Sequence, residues 1–172
     1  LACLDHISSL PCALLPVARL VQACRAAGFE RVFVDGAHAP GHHGGAALAP
    51  PVFQAVIQQD LAAMQRVLRQ DPDSGRAVEG VTGFTALTLA ANIGNTEMMR
   101  ALVDAPGIEI NHADALGFTA LIYLSAAGNV AGIKLLLAKP GLVVNLANSE
   151  GETALMCAAH KGHLSAVQLL LK

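Results

Sequence analysis

Several residues in this chain are of types that do chemistry, and their spacing decides what they are able to do. His38, His42 and His43 lie close together, but the stretch from Ala39-Pro40-Gly41 to Gly44-Gly45 supplies no rigid shell and no fourth ligand. No metal site is expected there. Asp5-His6 with Ser8 or Ser9 has the groups of a nucleophile triad. No G-x-S-x-G turn presents either serine between a strand and a helix, so acyl transfer is not expected. Cys3, Cys12, Cys24 and Cys157 have neither metal-ligand spacing nor the density of a disulfide framework. They read as buried free thiols in a reducing compartment. Asp35 is different: it follows the apolar run Val32-Phe33-Val34 and is delivered at the end of a predicted strand, where ligands gather in open α/β sheets.

The elements that would position Asp35 are those of a βαβ-like fragment. An apolar strand ends at Asp5-His6, a turn covers Ser8 to Pro11, and a helix runs from about Pro16 to Ala27. Proline suits the first helical turn because its missing N–H is unpaired there anyway, and Gly28 suits the stop. The composition from Gly41 to Pro51 is rich in Gly, Ala and Pro and marks a domain boundary. The expected division is a small α/β fragment over 1–49 and a second domain over 50–172.

Asp5-His6-Ile7-Ser8-Ser9, Leu15-Pro16-Val17 and Val34-Asp35-Gly36-Ala37-His38-Ala39-Pro40-Gly41 resemble the large domain of class V aminotransferases. The branch is that of isopenicillin N epimerase-like and cysteine desulfurase-like enzymes, which use pyridoxal phosphate. The resemblance, which covers about residues 1–41, implies that Asp35 pairs with the pyridinium nitrogen of the cofactor and His38 contacts its phenolic oxygen. That chemistry also needs a Schiff-base lysine and an upstream phosphate-binding loop. The chain has no Lys before Lys134. Catalysis and a bound cofactor are therefore not expected of this chain, and pyridoxal phosphate is expected only where the N-terminal piece belongs to an intact enzyme.

A second regularity governs the rest. Gly83-Phe84-Thr85-Ala86-Leu87 returns as Gly117-Phe118-Thr119-Ala120-Leu121 and as Gly151-Glu152-Thr153-Ala154-Leu155, 34 residues apart each time (83, 117, 151). Self-similarity at this period predicts a stacked helical array. Within a unit, Ala86 to Ala91 forms a first helix stopped near Gly94. A second begins at Asn95 or Thr96 with Met98, Met99, Leu102 and Val103 at helical spacing, and Pro106-Gly107 ends it. Ile108-Glu109-Ile110-Asn111 alternates and reads as a short extended segment. A degenerate first unit lies upstream, with helices over Val52–Asp60 and Leu61–Leu68. Gln59-Asp60 replaces the Gly-Asn turn, and Asp71 to Glu79 forms a loose connector.

These units resemble the ankyrin repeat, with the pattern D-x-x-G-x-T-P-L-H-x-A-A-x-x-G-H. Asp114-Ala115-Leu116-Gly117-Phe118-Thr119-Ala120-Leu121 matches its opening, with Ala120 in place of Pro. The usual His after Leu is Thr88, Ile122 or Met156, and the third unit has Leu124-Ser125 where paired alanines are usual, which is expected to loosen its first helix. The resemblance implies a mainly α solenoid with units over 50–82, 83–116, 117–150 and 151–172. It also implies a protein partner bound through the hairpin and inner-helix positions. These are Val81, Thr82, Phe84, Asn92 and Ile93, then Ala115, Leu116, Phe118, Ala126 and Ala127, then Ser149, Glu150, Glu152, His160 and Lys161. Two readings of Phe84 and Phe118 stand open: exposed members of an apolar contact strip, or covers over the neighbouring repeat.

Composition limits the partners. A net charge of −2 gives no electrostatic footprint for nucleic acid. The apolar stretch from Leu10 to Ala27 is interrupted by Pro11, Pro16, Arg19 and Arg25, so no membrane span is expected, and an intracellular, cytoplasmic setting fits. The chain opens without Met and closes on Leu169-Leu170-Leu171-Lys172, which predicts a piece of a longer protein, fraying over Gly162 to Lys172 and exposure of Leu169 to Leu171.

Overall fold

The computed structural model describes residues 50–80 and 82–172. The predicted α/β fragment, with Asp35 and His38, and residue Val81 lie outside the described residues.

Among the described residues the regular structure is helical: α1 Pro51–Gln58, α2 Leu61–Gln70, α3 Ala86–Ile93, α4 Thr96–Val103, α5 Ala120–Ala126, α6 Val130–Leu137, α7 Ala154–His160 and α8 Leu164–Leu170. Each helix pair closes through residues that the repeat pattern places at its ends. Thr85, Thr119 and Thr153 cap the inner helices α3, α5 and α7, their hydroxyls accepting the backbone N–H groups of Thr88, Ile122 and Met156. Asn95 and Asn129 cap the outer helices α4 and α6 in the same way. In the degenerate unit, Gln59 takes the left-handed conformation (φ 56°), and the Asp60 carboxylate accepts the Ala63 N–H at 2.9 Å. The Gln59-Asp60 pair therefore performs the turn that Gly94-Asn95 performs one unit later.

Inner helices α1, α3, α5 and α7 pack in one layer and outer helices α2, α4, α6 and α8 in another. The core lies between the layers: Met64, Leu87, Met98, Met99, Leu102, Leu121, Ile122, Ile133 and Leu136 are fully buried. Burying such side chains contributes about 1.5–3 kcal/mol each, and for short helices this packing is the main source of stability. Leu124 and Ser125 do not loosen α5. Leu124 is fully buried because Gly132, on α6, leaves space for it: a Cβ at position 132 would lie 2.6 Å from the Leu124 Cδ2. The Ser125 hydroxyl is fully buried and finds no partner among the described residues.

Polar side chains tie each unit to the next. While capping α6, Asn129 also donates its side-chain N–H to the Gly94 carbonyl (3.3 Å) and to Thr96 Oγ1 (3.2 Å) in the preceding unit. The His163 Nε2 sits 3.1 Å from the Ala126 carbonyl oxygen in the equivalent place. Asn111 donates to the Gly141 carbonyl and accepts from the Val143 N–H, both at 2.8 Å.

Three expectations need correction. Ile108–Asn111 forms no ladder; Ile110 and Asn111 turn, which frees the Asn111 side chain for the next unit, and the extended pairing comes later, as the bridge Ala113–Thr119. The connector after α2 is not loose: Pro72–Arg76 is a 3-10 turn capped by the Asp71 carboxylate, and Arg76 Nε donates to the Gly107 carbonyl at 2.9 Å. At the far end α8 is formed as far as Leu170. Leu171 is exposed, whereas Leu169 and Leu170 are half-buried.

Candidate functional site

Inner helices α3, α5 and α7 are each preceded by a tight hairpin, closed by the antiparallel bridges Val78–Thr85, Ala113–Thr119 and Ala147–Thr153. In the hairpin that leads into α5, Asp114 organises the loop: its Oδ1 accepts the N–H groups of Leu116 and Phe118, both at 2.9 Å. Asn148 repeats this one unit later, its Oδ1 accepting from the N–H of Glu150 (3.0 Å) and Glu152 (2.8 Å). The hairpin that leads into α3 is one residue longer between its bridged positions, and Glu79 takes over, its Oε2 accepting the Thr82 N–H at 2.6 Å. The tips then join: the Ala115 N–H donates to the Thr82 carbonyl, and the Ser149 N–H to the Leu116 carbonyl, each at 3.0 Å. Successive tips are therefore held in file by the backbone itself.

The candidate contact residues separate on this frame. Ala115, Ser149 and Glu150 are exposed at the tips, and Leu116 is 61% exposed, an apolar side chain presented to water. Thr82 and Glu152 are half-buried. At the other ends of the inner helices Asn92, Ile93 and Ala126 are half-buried, while Ala127, His160 and Lys161 are exposed. Phe84 and Phe118 are not part of an exposed strip: they are 8% and 7% exposed. Tyr123, on α5, is the reason, its ring centroid lying 5.8 Å from that of Phe84 and 5.4 Å from that of Phe118. Aromatic rings at these separations hold one another in the core, so the second of the two readings applies.

Tyr123 is a buried polar residue behind the hairpin that sequence reasoning missed. Its hydroxyl donates to Asp114 Oδ2 at 2.5 Å. Burial, the hydrogen bond to Asp114 and the carboxylate charge together push the hydroxyl well above the ordinary tyrosine range, so it stays protonated. A usable signal was present: a buried tyrosine needs a polar partner, and Asp114 precedes it on the hairpin that its helix follows.

Little else among the described residues offers chemistry. No three His, Cys, Asp or Glu side chains there are grouped to hold a metal ion. A cleft of about 540 Å³ is lined by residues that include Asn111, His112 and Lys139. Its polar groups are already occupied: Lys139 pairs with Asp104 at 2.6 Å, Asn111 holds the Gly141 turn, and His112 Nε2 lies 2.9 Å from the Gly83 carbonyl oxygen. No helix of the described residues is long and apolar enough to cross a membrane.

A family model for ankyrin repeats (3 copies) matches residues 52–148 and 107–172. A short N-terminal segment is similar to a different kind of protein. An L-cysteine desulfhydrase from Arabidopsis thaliana is 61% identical over 41 residues, 24% of this chain and 9% of that protein. A protein carrying the desulfhydrase name from Oryza sativa subsp. japonica is 54% identical over 41 residues, again 24% of this chain and 9% of its own length. The chain thus spans less than a tenth of these relatives.

Proposed function

Because the chain belongs to the ankyrin repeat family, we propose that it is a binding module for a protein partner and performs no catalysis of its own. The partner lies along the hairpin tips and the far ends of the inner helices. The observation that carries this reading is Leu116, 61% exposed on a tip whose backbone is fixed on both sides. An apolar side chain on a backbone that is already ordered spares the cost of ordering the loop on binding, as preorganised anchors do. Ala115 and Ala127 add apolar surface, and Glu150, His160 and Lys161 give it a polar and charged rim. The reading takes 50–172 as the binding domain, with Thr82, Asn92, Ile93, Ser149 and Glu152 at its edges, in an intracellular setting.

The test is site-specific photo-crosslinking of the full chain in cell extract, with the probe at Leu116, Ala127 or Lys161 and, as controls, at the exposed outer-helix positions Arg66, Arg100 and Lys134. One protein captured from the first set and not from the second is the expected outcome. Capture from the outer helices alone would sink the proposed surface.

A second reading concerns the N-terminal segment, favoured by its 61% identity to a desulfhydrase. On it, this chain is a piece or fusion of a pyridoxal-phosphate enzyme, with Asp35 and His38 as cofactor contacts by resemblance. Against activity here, the lysines Lys134, Lys139, Lys161 and Lys172 all fall in the repeat array. A bound chromophore that stays with the purified chain after added pyridoxal phosphate has been removed would favour the enzyme; no bound chromophore would remove the enzyme reading for this chain.

A further inference from the structure

We propose that Tyr123 is a positioning residue for the Leu116 tip, locking the hairpin that leads into α5 from inside the core through Asp114. The inference rests on the protein-binding reading only for what the tip is used for; the lock itself is a matter of geometry. The Asp114 carboxylate has two oxygens with separate tasks. Oδ1 holds the N–H groups of Leu116 and Phe118, and Oδ2 receives the Tyr123 hydroxyl at 2.5 Å. A carboxylate held by one oxygen alone is free to rotate toward water; the tyrosine removes that freedom. Its own ring cannot drift, because it is 5% exposed and packed against Phe84 and Phe118, which belong to successive hairpins. One side chain thereby fixes the tip and ties it to the neighbouring unit.

The repeat register makes the assignment specific. The positions equivalent to Tyr123, 34 residues before and after, are Leu89 and Cys157. Leu89 has no polar atom to offer, and the hairpin that leads into its helix is held by Glu79 and Thr82 within the loop. The Cys157 thiol approaches Glu152 Oε2 at 3.9 Å, a weaker reach from the same seat to the same loop. The strongest of these core-to-hairpin links therefore stands beneath Leu116, the large exposed apolar residue of the proposed surface.

The experiment compares amide hydrogen exchange in the full chain with that of the Tyr123→Phe variant, which keeps the ring stack and removes only the hydroxyl. Exchange at Leu116 and Phe118 is expected to quicken roughly 10- to 100-fold, the range for losing a hydrogen bond to a charged group. Glu150 and Glu152, held by Asn148, should not change. Unchanged exchange at Leu116 and Phe118, or equal acceleration at all four sites, would overturn the lock. A second measurement needs no variant. The chain has one Tyr and no Trp, so the tyrosinate absorbance band follows Tyr123 alone. The locked hydroxyl should resist ionisation until the fold is lost, and an ordinary midpoint near about 10 in the folded chain would overturn the assignment. Neither readout involves a partner, so failure of the crosslinking test leaves the lock standing, and failure of the lock leaves the binding surface open.

Discussion

The hairpins of residues 113–119 and 147–153 are near copies, yet they are constrained by different things. Gly117 and Gly151 both have φ of +79°, the left-handed region that favours glycine. A Cβ at Gly117 would lie 2.8 Å from the Ser149 backbone nitrogen, whereas one at Gly151 would meet nothing within 4 Å. The same contrast runs down the inner helices. Ile122 is fully buried, and Met156, its counterpart 34 residues on, is 56% exposed. The motif sets the local conformation in both places. What a residue is worth depends on whether a neighbouring unit stands against it.

The sharpest test of this comparison is a pair of alanine substitutions. Gly117→Ala combines backbone strain with a backbone clash and should cost about 2–4 kcal/mol. Gly151→Ala carries the strain alone and should cost about 1 kcal/mol. Equal losses in chemical denaturation would break the comparison. A smaller effect, with a change of sign, is expected inside the third unit. Gly132→Ala should destabilise by about 1 kcal/mol, because the clash with Leu124 outweighs the gain in helix propensity. In a Leu124→Ala background the same change should stabilise by a similar amount, and a double-mutant cycle measures the coupling. The smallest is Ser125→Ala, which removes a buried hydroxyl without a partner and should stabilise by roughly 1 kcal/mol or less. A loss of stability there would reveal a partner for the hydroxyl.

Much of this fold was legible because the repeat writes its punctuation in side chains that act locally. Thr85, Thr119, Asn95 and Asn129 cap the helices that follow them, and even Gln59-Asp60 could be matched by register to Gly94-Asn95. Several misread segments depend on contacts with another helix or unit that their own motif does not mark. Ile108–Asn111 alternates like a strand, but Asn111 is committed to Gly141 and Val143 in the next unit. Leu124 departs from the usual pattern of small residues, and its accommodation depends on Gly132 on the partner helix. For the candidate site, the tip positions came from the ankyrin resemblance laid on the 34-residue register. The burial of Phe84 and Phe118 did not, because it is decided by Tyr123, which no motif marks.

The double duty of Asn129 bears on how the array comes apart. Its carbonyl oxygen caps α6 while its amide group reaches back to Gly94 and Thr96. A solenoid whose units fold independently can be treated as beads with separable internal and interfacial energies. Here one side chain enters both terms, capping α6 and bonding the preceding unit at once, which couples the second and third units. Under denaturant these two should melt as one step, with the signal of Tyr123 reporting the loss of both.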